Sequence, residues 1–361
     1  MAIRRTRGRS VSCRATSLSA ALVGLTMLWA VPPAPAQIQS GATLAELAAY
    51  AGPDRTERLV AGARKEGLVT LYSSITVDDM KVLTEAFARR YGVKLQVWRA
   101  SSEDILQRAV AEARAGRYEV DAIETSAAEM ESLHRERLLQ EIKSPHIADL
   151  IAAAVQPHRE WIGDRLNIIA AGYNTDLIRR EDLPKSYEDL LAPKWKGKLG
   201  IEADDAVWFG TLMSAMGEAK GLALFRDLVR LNGLSVRKGH TLLANLVVSG
   251  EVPFTLTVYH YKAEQLKKSG APIDWYVLPP GVARFLGTGV LRRAPHPHAA
   301  VLFMDFMLSE GQRVLLDHDF TPTNQKIKPL DLPFTLVDPA KILDDGDKWS
   351  KLYDRIIKQA R

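Results

Sequence analysis

The sequence contains a single cysteine, Cys13, and only one apolar run that approaches membrane-spanning length, close to the N-terminus. Cys13 precedes that run, so it cannot be the lipid-modified cysteine of a lipoprotein, which follows the run. A chain processed after the run contains no cysteine. Such a chain cannot form disulfides, thiolate metal sites or cysteine nucleophiles, and it suits an oxidising compartment.

Motifs of catalysis are also absent. The chain has no G-x-S-x-G, no H-E-x-x-H, no phosphate-binding P-loop and no G-x-G-x-x-G. His296 and His298 lie in a Pro-His-Pro-His run that begins a predicted helix, where a turn with solvent-facing imidazoles is favoured over a metal pair. We therefore expect a protein that is not an enzyme.

The N-terminus is organised like a secretory signal peptide. Five arginines and no acidic residue accompany an apolar run over residues 18–31, and Ala34 and Ala36 follow as a small-x-small cleavage site. As a helix the run would span about 21 Å, which is less than the hydrocarbon core of about 30 Å. We expect residues 1–36 to be a signal peptide cleaved after Ala36, and the product to be a periplasmic monomer.

The charge of the chain changes with this cleavage. The full sequence has 48 basic and 43 acidic residues and a formal charge of +5. Because residues 1–36 contain five arginines and no acid, the mature chain is formally neutral. It has no overall positive field, so we expect neither nucleic acid nor an anionic membrane surface as a partner.

The mature chain is long enough for two lobes, and its pattern alternates strands with helices. Strands are predicted at 68–72, 93–98 and 120–123, and a helix at 77–91. A last helix is predicted at 349–358. Strand–helix alternation indicates a parallel sheet, whose ligands bind outside the carboxyl ends of the strands.

Hydroxyl side chains follow all three predicted strands. They are Ser73, Ser74, Ser101, Ser102, Thr125 and Ser126. Helix capping explains any one of them as well as ligand contact does, and Ser126 opens an S-A-A-E capping-box pattern. Hydroxyls at three neighbouring strand ends favour the floor of a ligand-binding cleft.

Three segments resemble type 2 periplasmic binding proteins, the solute-binding components of ABC importers. The segment at 190–198 reads LLAPKWKGK, and the one at 294–312 contains APHPHAA and SEGQ. Between them, residues 250–272 contain GEVP, two tyrosines and LKKSGAP, which resembles the ferric-iron-binding branch. The resemblance covers about residues 65–330.

The resemblance implies an α/β fold with two Rossmann-like lobes joined by a crossed-strand hinge. Lobe one would comprise residues 37–165 plus 290–335, and lobe two residues 166–289. The C-terminal helical tail, 336–361, is not assigned to a lobe. The family also implies that a small solute is captured in the interlobe cleft and delivered to an ABC permease in the inner membrane.

In ferric-binding members two adjacent tyrosines of lobe two hold the metal, helped by a His and a Glu of lobe one and an exogenous anion. Tyr259 and Tyr261 match the pair with His260 between them, and strand alternation would place His260 on the opposite face. That alternation fails if the strand ends before Tyr259. At the positions of the family's His and Glu, this sequence has the loop 73–76 and Ser126.

The ligand therefore stays open between ferric iron with a synergistic anion and a small organic or anionic solute. The expected contacts are Ser73, Ser74, Ser126, Asp204, Trp208, Tyr259 and Tyr261, of which Tyr259 and Tyr261 are metal ligands only if the solute is Fe³⁺. Two other functions fit the same scaffold. One is the ligand-presenting module of a sensor system, and the other is a periplasmic enzyme.

Overall fold

A computed structural model describes residues 43–331 and 333–358. The expected signal peptide and its cleavage site lie outside these residues. All of the described residues belong to one compact unit. Within the described ranges, no helix combines the length and the apolar character needed to cross a bilayer.

The helices of the described chain begin and end as follows: α1 Leu44–Ala49, α2 Arg55–Glu66, α3 Val77–Tyr91, α4 Ser102–Arg114, α5 Ala127–Arg135, α6 Ala206–Met216, α7 Glu218–Asn232, α8 His240–Ser249, α9 His260–Lys268, α10 Pro297–Leu308, α11 Glu310–Asp317 and α12 Pro339–Tyr353. The predicted helix at 77–91 is confirmed. Thr76 caps its first turn by accepting a hydrogen bond from the Asp79 N–H, and Gly92 ends it with φ of 71°.

The strands are β1 Leu68–Ser73, β2 Lys94–Arg99, β3 Ala122–Ser126, β4 Ile162–Asn174, β5 Leu199–Glu202, β6 Ser235–Arg237, β7 Phe254–Tyr259, β8 Ile273–Tyr276, β9 Val282–Val290, β10 Thr321–Pro322 and β11 Thr335–Leu336. They form one curled sheet, in which eight strands follow the order β2-β1-β3-β9-β4-β7-β5-β6, while β8 and β10 also pair with β4 and β11 pairs with β9. β1 is parallel to β2 and β3, and β5 is parallel to β6 and β7. The predicted parallel α/β arrangement is therefore confirmed.

The long strands β4 and β9 join the two ends of the sheet. They pair with each other antiparallel, while β9 also pairs with β3 and β4 also pairs with β7. Through these pairings, β4 and β9 connect the strands at one end of the sheet with those at the other. This is the crossed-strand hinge that the resemblance implied.

Two large apolar cores lie on the two sides of these strands. In the first, Phe87 of α3 packs edge-on against Phe303 and Phe306 of α10. In the second, Trp208 and Phe209 of α6 pack around Phe225 of α7. The separate cores are consistent with two lobes, whose boundaries at 165/166 and 289/290 remain predictions.

The C-terminal helix packs with the second core. Trp349 and Tyr353 of α12 both lie edge-on to Phe209. The helix begins ten residues before the predicted start at 349. Asp338 is the reason, because its side chain caps α12 by accepting from the Lys341 N–H and Pro339 occupies the first helical position.

Two glycines in helices of this core provide a matched stability test. A Cβ on Gly210 of α6 would lie 2.6 Å from Trp349 Cγ, whereas a Cβ on Gly346 of α12 would meet nothing within 4 Å. We expect Gly210→Ala to lower the free energy of unfolding by about 1–2 kcal/mol through overpacking. Gly346→Ala should raise it by about 0.5–1 kcal/mol, because alanine favours the helix. Urea denaturation of both variants measures the two signs, and a destabilising Gly346→Ala would contradict the packing described.

Candidate functional site

A cleft of about 270 Å³ lies where β1, β2, β4, β7 and β9 meet the first turns of three helices. Among its lining residues are Ser74, Arg99, Ser101, Ser102, Arg165, Asn167, His240, Thr241, Tyr259, Tyr261, Arg284, Leu286 and Phe320. In the described chain none of the residues that line it is acidic. Parallel strands end at the same edge of a sheet, which explains why residues distant in sequence converge here.

Helix N-termini add positive potential to the cleft. Ser101 and Ser102 begin α4, and His240 begins α8. Tyr259 precedes the first turn of α9. All three helices exceed eight residues, and the N–H groups of a first helical turn have no partner within the helix. These first turns favour negative charge at the cleft.

The serines predicted for the cleft fall in three different environments. Ser74 lines the cleft, and its buried Oγ has no hydrogen-bond partner among the described residues. Ser73 is fully buried and donates to Glu124 Oε2 at 2.5 Å. Ser126 occupies the N-cap of α5, but its hydroxyl bonds the Glu129 carboxylate and makes no capping bond to the backbone. Of the three, only Ser74 is placed to meet a solute.

Both tyrosines line the cleft, and the histidine between them does not. β7 ends at Tyr259, and His260 and Tyr261 are the first two residues of α9, so the predicted strand alternation does not extend to them. His260 is 4% exposed, accepts from the Ile168 N–H at 3.3 Å and pairs through Nε2 with the Thr321 hydroxyl at 2.9 Å. The rings of Tyr259 and Tyr261 are nearly parallel, with centroids 5.9 Å apart.

Burial keeps both phenols protonated in this structure. Loss of solvation raises the pKa of Tyr261 to about 12, and it raises the pKa of Tyr259 as well. Arg284 donates to the Tyr259 hydroxyl oxygen, and the His240 ring lies 3.7 Å from the Tyr259 ring. Deprotonation of either tyrosine would therefore require a strong cationic partner.

Asp204 and Trp208 lie away from the cleft, contrary to the expectation from sequence. Trp208 is 1% exposed and packs on Tyr187 and Phe225 in the second core. Asp204 pairs at the surface with Lys358 at 3.2 Å. The reason is the helical period of α6, which turns Trp208 inward to the core.

Arginines of the two crossing strands are the main residues that the sequence reasoning missed. Arg165 of β4 donates to Glu124 at 2.6 Å and to Asp164 at 2.8 Å, and its Nε has no partner among the described residues. Arg284 of β9 bonds Tyr259, and its Nε is likewise unpaired. A charged residue inside an otherwise apolar strand was the signal available in the sequence, because buried charges need a specific partner.

A group of two acids and one histidine lies at the N-terminus of α8. Glu202, Asp205 and His240 each offer an atom within 4.8 Å of the others, which is close enough to hold a metal ion. Asp205 Oδ1 lies 3.2 Å from His240 Nε2, and Glu202 accepts from the Gly239 N–H at 2.7 Å. Burial alone would raise the pKa of Asp205, but His240, Arg284 and Thr257 together outweigh burial and lower it. Only His240 of this group lines the cleft.

The family model of the bacterial extracellular solute-binding proteins matches residues 125–344, more than half of the chain. The chain belongs to this family. A curated relative, the Fe(3+)-binding periplasmic protein of Serratia marcescens, is 24% identical over 78% of this solute-binding protein and 88% of its own length.

Solved structures of similar fold carry different ligands. Iron-bound HitA from Pseudomonas aeruginosa matches with a TM-score of 0.69 and 21% identity over 80% of this chain and 99% of its own. AfuA from Actinobacillus pleuropneumoniae, with exogenous fructose-6-phosphate bound, matches with a TM-score of 0.69 and 21% identity over 81% and 99%. The type 2 periplasmic binding fold of this solute-binding protein is thereby confirmed.

The buried His260 predicts a pH dependence of stability. Burial lowers the pKa of His260 from 6.5 to about 4, so the unfolded chain takes up a proton first as the pH falls. The contribution of neutral His260 to the free energy of unfolding is fully present above pH 6.5, and it is lost as the pH falls towards 4. We expect wild type to lose about 2–3 kcal/mol more than His260→Gln between pH 7 and pH 4. Urea unfolding at both pH values measures the difference, and equal losses would contradict the assignment.

Proposed function

We propose that this solute-binding protein captures a small organic anion, carboxylated or phosphorylated, in its cleft. The observation that carries the proposal is the lining itself, which combines three arginines, several hydroxyls and three helix N-termini with no acidic side chain. Such a lining attracts an anion and disfavours a bare cation.

Unpaired polar atoms support the same ligand class. Buried donors and acceptors are normally hydrogen-bonded, because an unsatisfied group costs about 1–3 kcal/mol. Ser74 Oγ, Arg165 Nε and Arg284 Nε are buried donors without a partner among the described residues. A carboxylate or phosphate oxygen would satisfy all three groups. Asn167 Oδ1 is a buried acceptor without a partner and suits a hydroxyl of the same solute.

The cleft is placed so that a solute would favour closure. Ser74 and Ser101 follow β1 and β2 in one half of the sheet, and Thr241 belongs to α8, which packs on β5 and β7 in the other half, while Arg165 belongs to the crossing strand β4. A solute that contacts both halves only in the closed state shifts the population towards that state. An ABC permease in the inner membrane would then receive the closed, loaded form from the periplasm, after export and removal of residues 1–36.

Binding without catalysis is part of the proposal. The arginines of the lining are permanently protonated and so bind an anion without exchanging a proton with it, and the family and the curated relative are named for binding. A sensor partner instead of a permease would use the same closed form and differ only in what recognises it.

A second candidate ligand is ferric iron held together with a synergistic anion. The parallel pair of Tyr259 and Tyr261 supports it, since phenolate oxygen suits a hard cation. Relatives named for Fe³⁺ binding support it as well. Against it, Glu124 is buried and bonded to Arg165 and Ser73, so it does not face the cleft. In this version the arginines would hold the anion.

The organic-anion proposal predicts a selective loss of affinity in an arginine variant. Arg99 lines the cleft but is exposed, so its removal leaves the buried ion pairs intact. A thermal-shift screen of sugar phosphates, phosphonates and di- and tricarboxylates first identifies a solute. We expect Arg99→Ala to weaken the binding of that solute by about tenfold or more. Isothermal titration calorimetry measures it, and Arg89→Ala, an exposed arginine outside the cleft, is the matched control. A screen in which only cations or neutral solutes stabilise the protein would refute the proposal.

If the solute is ferric iron with an anion, the loaded protein should absorb visible light. Addition of Fe³⁺ with citrate to the purified protein should produce a tyrosinate-to-iron absorption band, and Tyr261→Phe should abolish or shift that band. Phe retains the ring packing on Phe320, whose centroid lies 4.3 Å away, so the variant removes only the hydroxyl. A colourless protein, or an unchanged band in Tyr261→Phe, would exclude iron ligation by this residue.

A further inference from the structure

A second cluster of metal-binding side chains lies outside the cleft, on α5 and the segment before β4. Glu131 and His134 are three residues apart on α5, so they lie on the same face of the helix. His158 approaches them from the segment before β4, and one ligand atom of each residue lies within 4.8 Å of the other two. None of the three lines the cleft.

We propose that Glu131, His134 and His158 form a binding site for a divalent transition-metal ion such as Zn²⁺. Two imidazole nitrogens and one carboxylate oxygen form a donor set that suits Zn²⁺ and Co²⁺ and leaves a fourth position for water. The imidazoles remain partly exposed, at 29% for His134 and 20% for His158, so an ion can reach them from solvent.

His134 is oriented in the way that metal-ligating histidines are. Its Nδ1 lies 2.8 Å from Glu160 Oε2, so Nδ1 carries the proton and Nε2 keeps its lone pair for a metal. Arg292 in turn binds the other oxygen of Glu160 at 2.7 Å and fixes the carboxylate. Glu160 is therefore a positioning residue that acts through His134.

The carboxylate of Glu131 has weak partners for a buried group. The residue is 8% exposed, yet among the described residues its oxygens have no polar contact closer than 3.4 Å. These contacts are with His158 Nε2 and Trp161 Nε1 at 3.4 Å and with Arg135 Nε at 3.5 Å. A buried carboxylate normally has close hydrogen bonds, and a metal ion would supply a shorter contact than any of these three.

His158 needs a small rearrangement to join the site. Its Nδ1 accepts from the Glu160 N–H at 3.0 Å, which places its own proton on Nε2. Metal ligation moves this proton to Nδ1 and exchanges one hydrogen bond between neutral groups for a metal bond. The rings of His134 and His158 are stacked 3.7 Å apart and must turn until their Nε2 lone pairs converge.

The test uses the exported protein purified without a histidine tag, stripped with a chelator and titrated with Co²⁺. We expect one equivalent of Co²⁺ to bind and to produce a visible d–d absorption band. The band should disappear when Zn²⁺ displaces Co²⁺. His134→Asn should weaken Co²⁺ binding at least a hundredfold, and Glu160→Gln should weaken it about ten- to a hundredfold, because it only orients His134. His146→Asn, in the same half of the chain but outside the cluster, should bind Co²⁺ as wild type does.

Two results would overturn the proposal. One is the absence of a Co²⁺ band in the wild-type protein. The other is a band that persists in His134→Asn and disappears in His240→Asn, which would place the metal in the group behind the cleft. Circular dichroism and thermal unfolding of the metal-free variants show that each is folded before it is titrated. Solute affinity of the cleft should be unchanged in His134→Asn.

Discussion

The floor of the cleft depends on one buried ionic group centred on Arg165. Its guanidinium binds Glu124 of β3 at 2.6 Å and Asp164 of β4 at 2.8 Å. Thr288 of β9 donates to Asp164 at 2.7 Å, and Ser73 of β1 donates to Glu124. Four strands are thus joined through a single charge. Removal of one partner from a buried pair leaves an unpaired charge and costs about 3–5 kcal/mol, so these residues constrain one another.

The same group determines the electrostatics of the cleft. Two carboxylates share one guanidinium, and burial raises the pKa of Asp164 while Arg165 stays protonated. Both acids are fully buried and lie behind the floor, where they hold the arginine in place. The charge of Asp205 also stabilises the protonated form of Arg284 and raises its pKa, although the two residues share no hydrogen bond. The groups that line the cleft are arginines, hydroxyls and helix N-termini, whereas the acids lie behind them. This separation of charge favours an anionic solute over a cation.

The local elements were predictable because their causes are local. Thr76 and Gly92 bound a helix whose apolar face is visible in the sequence, whereas the alternation predicted for residues 259–261 does not apply, because α9 begins at His260. The serines were harder to predict, because a hydroxyl at a strand end can serve a solute, a cap or a buried acid. Ser73 and Ser74 are neighbours, but Ser73 donates to Glu124, whereas the Ser74 hydroxyl has no partner among the described residues. The position of Glu124 therefore decides which of the two serines can bind a solute.

By itself, the sequence determined the family, the α/β pattern and the two tyrosines, since these depend on motifs and on periods of a few residues. Tertiary structure alone decided which side chains meet. Arg165 and Arg284 are more than a hundred residues apart, and Glu131 and His158 belong to different segments. Trp208 faces a core that includes residues of the distant helices α7 and α12. Charge pairing and burial arise between segments, and that is why the chemistry of the cleft became visible only in the folded chain.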